Sequence, residues 1–323
     1  MQQRKLGYTD LHLTPIGFGA WAIGGPWEYG WGPQDDAESV AAIQRGLDLG
    51  INWIDTAPAY GLGHSEEVVG RAIKGRRDSV IVATKCSLTW DDPSTRRVFS
   101  RLKAWSVRRE AEDSLRRLGV DVIDLYQVHW PNPDADIEEG WTEIARLVEE
   151  GKVRYAGVSN FSVSQIRRAQ AIHPVASLQP PYSMVARTVE DEVLAFCAAN
   201  DIGVVAYSPM ASGLLTGKFT RERIAALPAD DMRHKNSHFQ EPELSANLAL
   251  IESLRPIAAR HGRSLGQLAV AWVLRRPEVT AAIVGARHPA QVAEIAPAAD
   301  WRLDEAEIAE IETRLAAREK QLA

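Results

Sequence analysis

The sequence is poor in several features that would point to particular classes of protein. Its 323 residues include only two cysteines, Cys86 and Cys197, which lie far apart and exclude a disulfide framework or a cysteine-rich metal site. We expect both as buried thiols, and we expect no metal centre. No run of about 18 apolar residues is present, and the N-terminus lacks the apolar segment of a signal peptide. These absences predict a cytoplasmic protein with no membrane span.

Positive charge is also scarce. Lysine and arginine number 37 against 43 aspartate and glutamate residues, giving a formal net charge of -6, and no basic block occurs. Because binding to nucleic acid phosphates requires such a block, we expect no nucleic acid partner. Hydrophobic residues make up 45% and charged residues 25%, which is typical of a globular protein with a large core. Composition leaves the oligomeric state undefined.

Strand-like apolar runs alternate with segments of helical periodicity along the chain. A short β-hairpin is predicted first, from Gln3–Leu6 and Leu11–Thr14. Eight strands are predicted after it: Ile16–Trp21, Ile51–Thr56, Ser79–Lys85, Val122–His129, Val153–Asn160, Val175–Gln179, Gly203–Ser208 and Thr280–Gly285. Helices are predicted at Asp35–Leu49, Ser65–Ile73, Leu102–Leu118, Ile137–Glu150, Ser162–Ala171, Val189–Asn200, Leu244–Arg260, Ser264–Leu274, Pro289–Ala296 and Asp304–Leu315. We expect Ser65 to cap its helix.

This alternation decides between two architectures. A length of 323 residues would by itself suggest two domains. Eight strand–helix units predict a parallel sheet, however, and eight is the number that closes a (β/α)8 TIM barrel. We therefore predict one α/β barrel domain over residues 1–323, with an N-terminal β-hairpin and extra C-terminal helices. An open doubly wound sheet is the alternative.

The glycine-rich segment Gly17–Gly25 only superficially resembles a dinucleotide-binding fingerprint. Its spacing is not G-x-G-x-x-G, and a long loop follows it where a Rossmann turn would enter a helix at once. We interpret it as a flexible loop at the mouth of the barrel.

Polar residues end several of the predicted strands. In a barrel the carboxyl ends of all strands face one mouth, so these side chains converge. They are Asp55, Lys85, His129, Ser159, Asn160, Gln179, Tyr207 and Ser208, with Tyr60 on the loop just after Asp55. A buried Lys85 requires a carboxylate partner, and Asp55 is the nearest in sequence order. A purely structural ion pair would explain these two residues equally well.

Tyr60 and His129 suggest chemistry at this mouth. A free phenol has a pKa near 10, and a neighbouring cation lowers that value by favouring the phenolate. Beside Lys85, we therefore expect Tyr60 to become a usable proton donor to a carbonyl oxygen. His129 can donate a second hydrogen bond to that oxygen. Taken alone, a histidine before Trp130 and Pro131 is also explained as a core or loop residue.

Three motifs carry these residues: D-T-A-P-A-Y-G with Asp55 and Tyr60, V-A-T-K with Lys85, and Y-Q-V-H-W-P with His129. Together they resemble the catalytic tetrad of the aldo-keto reductase superfamily, and the resemblance extends over nearly the whole chain. It implies that Tyr60 is the general acid and base, that Lys85 lowers its pKa, that Asp55 pairs with Lys85, and that His129 orients the carbonyl.

The resemblance also implies a nicotinamide dinucleotide cofactor, usually NADPH, bound across the mouth without a Rossmann fold. The positions implied near the nicotinamide are Trp21, Asp55, Ser159, Asn160, Gln179 and Tyr207. Those of the pyrophosphate loop are Ser208, Pro209, Met210, Ser212, Leu214 and Lys218, and those near the adenosine are Gly285, Arg287, Gln291 and Glu294.

Arg287 bears on the choice between the two nicotinamide cofactors. It precedes a predicted helix, where a guanidinium and free N–H groups can bind a phosphate. A guanidinium near the ribose favours the 2′-phosphate of NADPH, so NADH is less favoured. Many relatives carry Asn after the glutamate that matches Glu294, whereas Ile295 follows here. We thus expect one adenine contact to be missing.

Tryptophan is abundant, with 10 residues in the chain. Trp21, Trp27, Trp31, Trp90 and Trp130 follow predicted strands, where indole rings can cover an apolar carbonyl compound or stack on a sugar. Ordinary loop packing is the other interpretation, which we favour slightly for Trp90 and Trp130. The G-P-W-E-Y-G-W-G-P-Q-D-D motif most resembles a bacterial branch with general stress reductases and inositol- or sugar-related dehydrogenases.

We therefore expect an NADPH-dependent enzyme that reduces an aldehyde or ketone, including a sugar- or polyol-derived carbonyl, to an alcohol. Its partner is then a small-molecule carbonyl or alcohol. An NADPH-binding regulatory or redox-sensing subunit of the same fold is the alternative. The charged segment 220–243 is interpreted either as a lid or as a solvated loop.

Overall fold

We describe the protein from a computed structural model that covers residues 1–229 and 231–322, so position 230 of the predicted lid lies outside the described residues. The strands are β1 Arg4–Lys5, β2 His12–Leu13, β3 Ile16–Gly19, β4 Trp53–Asp55, β5 Ile81–Cys86, β6 Leu88–Thr89, β7 Phe99–Ser100, β8 Ile123–Val128, β9 Val153–Ser159, β10 Ser177–Gln179, β11 Gly203–Ala206 and β12 Val279–Gly285. The α-helices are α1 Asp36–Asp48, α2 His64–Ile73, α3 Ala104–Leu118, α4 Ile137–Glu149, α5 Val163–Gln170, α6 Val193–Ala199, α7 Arg221–Ala225, α8 Glu243–Arg260, α9 Leu265–Leu274, α10 Pro289–Ile295 and α11 Glu305–Leu322.

The central sheet is a closed barrel of parallel strands in the order β10-β11-β12-β3-β4-β5-β8-β9. The last strand pairs with the first, from Ala282 with Ile16 to Gly285 with Gly19. This pairing confirms the predicted (β/α)8 barrel and rules out an open doubly wound sheet, whose edge strands stay unpaired.

The N-terminal hairpin of β1 and β2 closes the barrel at the amino ends of its strands. Leu6, Leu11 and Leu13 pack with the inward side chains Trp53 and Leu125 in one cluster. The indole Nε1 of Trp53 donates to the Thr14 carbonyl oxygen at 3.0 Å. A Cβ at Gly17 would lie 2.1 Å from Trp53 Cε2, so only glycine fits beside this ring. The interior is thus filled at this end, which leaves the opposite mouth for a site.

Helices cover the outside of the barrel through a second, larger core. Outward-facing strand residues such as Phe18, Ile54, Val82 and Val128 belong to it, together with the inner faces of the helices. Because side chains alternate along a strand, Leu125, Gln127 and His129 face inward while Tyr126 and Val128 face the helices. This alternation brings the polar strand ends to the mouth.

Two local predictions are corrected. Ser65 does not cap α2, which follows Gly63 at φ 100 without a side-chain cap. Instead, Ser65 Oγ donates to the Ala20 carbonyl oxygen at 2.9 Å, because the serine faces the barrel. In addition, the segment between the strand of Lys85 and α3 is not a plain loop, since it forms the β6–β7 hairpin.

Two predicted helices differ in extent. The segment predicted as one helix at Val189–Asn200 divides into a 3-10 turn at Thr188–Glu190 and the shorter α6. The C-terminal helix α11 runs to Leu322, beyond the predicted end at Leu315. Across the described residues, every helix is too short or too polar to cross a membrane.

Candidate active site

A cavity of about 720 Å³ opens at the carboxyl ends of the barrel strands. Its volume lies in the range of small-molecule sites, which is about 300 to 1,000 Å³. The predicted residues that line it are Trp21, Trp27, Trp31, Asp55, Tyr60, His129, Trp130, Ser159, Asn160, Gln179, Tyr207, Ser208, Pro209, Met210, Ser212, Lys218, Gly285, Gln291 and Glu294. Lys85 lies directly behind this wall, and Trp90, Leu214 and Arg287 are not part of the lining.

Lys85 is the centre of the site. Its side chain is fully buried, and Nζ donates to Asp55 Oδ1 at 2.6 Å, to the Thr56 carbonyl oxygen at 2.9 Å and to the Tyr60 hydroxyl at 3.2 Å. An ammonium group has three donors, so these contacts use all of them. The predicted meeting of Asp55, Tyr60 and Lys85 is therefore present in the geometry.

Asp55 is held on its other side by two amides. Its Oδ2 accepts from Gln179 Nε2 at 2.8 Å and from Gln127 Nε2 at 3.4 Å. Gln127 was not predicted as a site residue. The signal was available, because it precedes His129 by two positions on the same strand and so faces the same side.

Burial dominates the electrostatics of this group. It lowers the pKa of Lys85, and the Asp55 carboxylate partly offsets that effect. It also raises the pKa of Tyr60 well above 10, and Asp55 adds to the rise. Burial thus outweighs any lowering of the Tyr60 pKa by Lys85, because the charge of Lys85 is matched by Asp55 and a phenolate would still lose its hydration. The role of Lys85 in lowering that pKa stays a prediction. Tyr60 is therefore a protonated phenol at neutral pH.

His129 faces Tyr60 across the cavity wall, with ring centroids 5.6 Å apart in an edge-on arrangement. Desolvation lowers the pKa of His129 well below 6.5, and the charge of Lys85 lowers it further. The ring is consequently neutral and carries one N–H donor. Its backbone is tied on both sides, because His129 N donates to the Cys86 carbonyl oxygen and Asn160 Nδ2 donates to the His129 carbonyl oxygen, each at 3.0 Å.

Four predicted residues, Ser159, Asn160, Gln179 and Tyr207, form one hydrogen-bonded chain. Ser159 Oγ donates to the Gln179 carbonyl oxygen at 2.7 Å, and Asn160 Nδ2 donates to Ser159 Oγ at 3.1 Å. The Tyr207 hydroxyl donates to Asn160 Oδ1 at 2.9 Å. This chain fixes the Tyr207 ring in the cavity wall, where it offers a flat face to a planar ring.

The turn after Tyr207 has the geometry of an anion site. Ser208, Ala211 and Ser212 adopt φ values of 54, 47 and 55, and Gly213 adopts 90. Such left-handed residues direct successive N–H groups to one side and cluster at functional sites. Among the described residues, the N–H groups of Met210 and Ser212 find no acceptor. These free donors at the cavity fit a phosphate group.

Leu214 does not share this role. Its side chain is fully buried in the outer core, because the turn curls into a short 3-10 helix at Leu214–Thr216. Further along, Lys218 Nζ pairs with Glu294 Oε2 at 2.8 Å across the cavity edge. Gln291 Oε1 accepts from the Arg287 N–H at 2.7 Å, so this amide caps α10.

Arg287 lies beside the cavity and not in its lining. Its guanidinium donates to Gln34 Oε1 and to the carbonyl oxygen of Pro33. Burial lowers its pKa, and the charge of Arg233 lowers it further. Arg287 Nη1 lies 3.5 Å from the Trp31 carbonyl oxygen, and the Arg233 guanidinium lies 4.6 Å from the Trp31 ring centroid, so both cations are beside the same residue at this end of the cavity.

Arg233 belongs to a roof that the sequence did not predict in detail. Its guanidinium lies 4.6 Å from the Trp31 ring centroid and 5.0 Å from that of Phe219, and it pairs with Asp231 at 2.6 Å. Phe219, Arg223, Met232 and Arg233 all line the cavity. From segment 220–243, Arg223, Met232 and Arg233 therefore contribute to the cavity wall, and the choice between a lid and a solvated loop stays a prediction.

Four of the five tryptophans named from the sequence reach the cavity. Trp21 and Trp31 are in edge contact with centroids 4.6 Å apart, and the Trp27 ring lies 5.8 Å from that of Tyr60. Trp130 is 40% exposed at the rim. Trp90 lies outside the lining, in agreement with the loop packing favoured for it, because the β6–β7 hairpin turns this ring toward Arg117, 6.0 Å from its guanidinium. Leu88, Val98 and Phe99 line the cavity from that hairpin instead.

Within the described residues, no group of three or more His, Cys, Asp or Glu side chains is arranged to hold a metal ion.

Comparison with known proteins agrees with this geometry. The Aldo/keto reductase family profile matches residues 15–315. The chain is 41% identical over 318 residues to aldo-keto reductase YhdN of Bacillus subtilis (strain 168), covering 98% of this chain and 94% of that protein. It is 34% identical over 320 residues to the NADH-specific methylglyoxal reductase of Escherichia coli (strain K12), covering 95% and 96%.

Among solved structures, the glycerol dehydrogenase AKR11B4 from Gluconobacter oxydans superimposes with a TM-score of 0.89 at 39% identity, covering 98% of this chain and 96% of that one. With a family profile over nearly the whole chain and relatives of this similarity, the protein belongs to the aldo/keto reductase family and is a carbonyl-reducing oxidoreductase of the nicotinamide-dependent type.

Proposed function

We propose that this enzyme reduces a small, uncharged aldehyde or ketone to an alcohol with NADPH, and that Tyr60 donates the proton. The observation that carries the proposal is the contact of Lys85 Nζ with both Asp55 and the Tyr60 hydroxyl, at 2.6 and 3.2 Å, beside His129. This arrangement places an acid and a neutral hydrogen-bond donor at one point of the cavity.

The residues around the cavity suit a nicotinamide dinucleotide. Tyr207 would stack on the nicotinamide, the turn from Ser208 to Gly213 would bind the pyrophosphate, and Lys218 would lie beside it. When bound, the reduced nicotinamide supplies the hydride.

The protein itself handles the proton. With its pKa raised, Tyr60 is protonated at neutral pH and its O–H can be transferred to a carbonyl oxygen that gains charge. Lys85 Nζ, 3.2 Å from the same oxygen, then stabilises the phenolate that remains. The neutral His129 ring donates to the carbonyl oxygen and fixes its direction.

The substrate class follows from the wall near Tyr60. Trp27 and Tyr60 form one apolar cluster, against which Trp21, Leu88 and Val98 pack. Among the described residues, the cationic side chains of the cavity lining are Lys218, Arg223 and Arg233, and all three lie on the turn and roof. A carboxylate or phosphate on the substrate would therefore enter the apolar end without a counter-charge. The names of the E. coli and G. oxydans relatives also describe small uncharged compounds, methylglyoxal and glycerol.

A carbonyl panel tests this proposal through the loss of reduced-nicotinamide absorbance. We expect turnover of methylglyoxal, glyceraldehyde and 4-nitrobenzaldehyde, and a kcat/KM at least about tenfold lower for 4-carboxybenzaldehyde than for 4-nitrobenzaldehyde, since the unpaired charge must be desolvated. Equal kcat/KM values for the two benzaldehydes would contradict the neutral substrate class. Tight NADPH binding without turnover of any carbonyl would indicate a nucleotide-sensing role instead.

The preference for NADPH has its own prediction. Arg233 and Arg287 bring two positive charges together, and a 2′-phosphate would relieve their repulsion. We expect Arg287→Ala to weaken NADPH binding by at least about tenfold, the value of a charged hydrogen bond, and to change NADH binding by less than about twofold. Fluorescence titration with both cofactors measures these dissociation constants.

A suitable control is Arg276→Ala. Arg276 precedes β12 at the opposite end of the barrel and pairs with Glu278 at 2.9 Å, so its loss should alter neither affinity. Equal losses of NADPH and NADH affinity in Arg287→Ala would remove the argument for the 2′-phosphate.

A further inference from the structure

A buried carboxyl group lies behind the candidate active site without touching the cavity. Glu110 on α3 is 6% exposed, and its Oε2 accepts from the Ser87 N–H at 3.0 Å while Oε1 accepts from Ser106 Oγ at 2.9 Å. Burying a carboxyl group is costly, so a helix that only packs on a barrel would do better with an apolar residue here.

Ser87 connects this carboxyl group to the site. It lies two residues after Lys85 and holds φ at 80, a left-handed conformation that costs free energy in a serine. Its Oγ lies 3.1 Å from both the carbonyl oxygen and the N–H of Trp130, and it exchanges a hydrogen bond with each. The adjacent Cys86 carbonyl oxygen accepts from the His129 N–H at 3.0 Å. Ser87 thus joins the strand end of Lys85 to that of His129.

Ser87 also anchors the substrate side of the cavity. Its carbonyl oxygen accepts from the Arg101 N–H at 3.0 Å, immediately after the β6–β7 hairpin that supplies Leu88 and Phe99 to the cavity wall. The strained residue is therefore a junction between two candidate catalytic strands and one wall of the substrate site.

We propose that Glu110, by accepting the Ser87 N–H, is a positioning residue that fixes the placement of His129 relative to Lys85 and Tyr60. This inference rests on the proposed reduction chemistry for its kinetic readout. Glu110 does not touch substrate or cofactor, and it acts through Ser87 and Trp130.

The surroundings of Glu110 leave it without an ion-pair partner in the described part of the chain. The two cations whose charge lowers its pKa are engaged elsewhere, since Arg101 pairs with Asp91 at 3.6 Å and Arg117 with Glu66 at 2.6 Å. The Glu110 carboxyl group therefore accepts the hydrogen bond from the Ser87 N–H and does not take part in a salt bridge within the described residues.

Burial raises the pKa of Glu110 to about 8, against the pull of Ser106, Ser87, Arg101 and Arg117. The other titratable groups that face it are Cys86 on β5 and Tyr126 on β8, and burial raises the pKa of both well above their usual values. Glu110 is therefore the member of this group that changes charge near pH 8. In the unfolded chain its pKa is near 4.5, so the stability it contributes is present below that pH and is lost as pH rises through about 8.

The test compares Glu110→Gln with Glu110→Leu, using NADPH and 4-nitrobenzaldehyde. Glutamine keeps an acceptor for the Ser87 N–H, so we expect kcat within about twofold of wild type. Leucine has no acceptor, so we expect kcat to fall at least about tenfold with an unchanged dissociation constant for NADPH, because small misplacements of catalytic groups are costly. Equal kcat values in the leucine variant and wild type, or equal losses in both variants, would overturn the proposal.

Asp124→Leu is the control. Asp124 lies on β8, is 4% exposed and accepts the N–H of Val82 on β5 at 2.9 Å, at the opposite end of the barrel from Ser87. It also pairs with Arg77 at 2.8 Å and with Arg154 at 2.9 Å, so its loss should destabilise the fold at least as much as the loss of Glu110. The Asp124→Leu variant should have a lower free energy of unfolding than the wild type and an unchanged kcat. A loss of kcat as large as that of Glu110→Leu would mean that destabilisation alone explains the effect, and the proposal would fail.

A double variant separates the pathway from general disruption. Ser87→Gly keeps the N–H but loses the Oγ bonds to Trp130, so Glu110→Leu should add little to its loss of kcat. Additive losses would overturn the proposal. If Glu110→Leu does not fold, Ser87→Gly alone tests the proposal, and a kcat equal to that of the wild type in Ser87→Gly would overturn it.

A readout without turnover distinguishes this proposal from the proposed function. The ring resonances of His129, identified by their absence in His129→Asn, should move in Glu110→Leu and stay in place in Glu110→Gln. Absence of wild-type turnover with every carbonyl would refute the proposed function alone. Unmoved His129 resonances in Glu110→Leu would refute the positioning role alone.

Discussion

Tyr60→Phe is expected to lower kcat for carbonyl reduction by about 10²- to 10⁴-fold, the range of general acid catalysis, while the dissociation constant of NADPH changes little. The reason is geometric. The hydroxyl lies 3.2 Å from Lys85 Nζ at the cavity wall, so its loss removes the proton donor and leaves the ring in place. Steady-state kinetics and fluorescence titration measure the two quantities.

Tyr126→Phe provides the control for this substitution. Tyr126 is fully buried on the outer face of β8, where its hydroxyl donates to the Val107 carbonyl oxygen at 3.2 Å. Its loss should leave kcat unchanged. Retained reduction in Tyr60→Phe would exclude Tyr60 as the acid.

The raised pKa of Tyr60 adds a pH signature to the same assignment. Reduction uses the protonated phenol, which persists through neutral pH because its pKa lies well above 10. The kcat of the wild type for carbonyl reduction should therefore change little between about pH 6 and pH 9. The kcat for oxidation of the alcohol, which needs the phenolate, should instead rise with pH.

Lys85→Met is expected to have the second large effect, on both activity and stability. The substitution removes the ammonium that contacts Asp55 and Tyr60 and leaves the 3% exposed Asp55 carboxylate without its counter-charge. Breaking a buried ion pair in this way costs about 3 to 5 kcal/mol in the free energy of unfolding. We expect kcat to fall by at least about 10²-fold, because the phenolate formed from Tyr60 loses its stabilising charge.

The double variant Lys85→Met/Asp55→Asn separates these effects. It removes both charges, so the free energy of unfolding should recover in urea denaturation while kcat stays low. Recovery of kcat together with stability would mean that the pair is structural, as an isolated ion pair of this kind would be. Thermodynamic and kinetic data on the same samples decide the question.

The sequence was sufficient for the eight barrel strands, for the helices between them and for the polar residues at the strand ends, but not for the β6–β7 hairpin. Alternating strand and helix patterns predicted the barrel, and the polar strand ends predicted the meeting of Asp55, Tyr60 and Lys85, which the geometry contains. Both inferences work because the period of side chains along a strand is local and the closure of eight parallel strands brings their ends together.

Other features of the site could not be predicted from the sequence motifs. Loop packing was slightly favoured for both Trp90 and Trp130, but only Trp90 is directed away from the cavity, by the β6–β7 hairpin toward Arg117, while Trp130 lines it. The contact of Arg233 with the Trp31 ring and the hydrogen bond from the Ser87 N–H to Glu110 each connect different segments of the chain. No local pattern encodes such contacts, since they depend on how loops and helices pack after the barrel closes.

What the sequence by itself determined is the barrel and the set of chemical groups at its mouth, because strand periodicity and order specify them. Tertiary structure alone decided their electrostatic state. Burial of the whole group raises the pKa of Tyr60 and outweighs the charge of Lys85, because desolvation depends on the surrounding volume and not on the neighbouring residue type. The raised pKa keeps the phenol protonated, which is the form in which we propose that Tyr60 donates its proton.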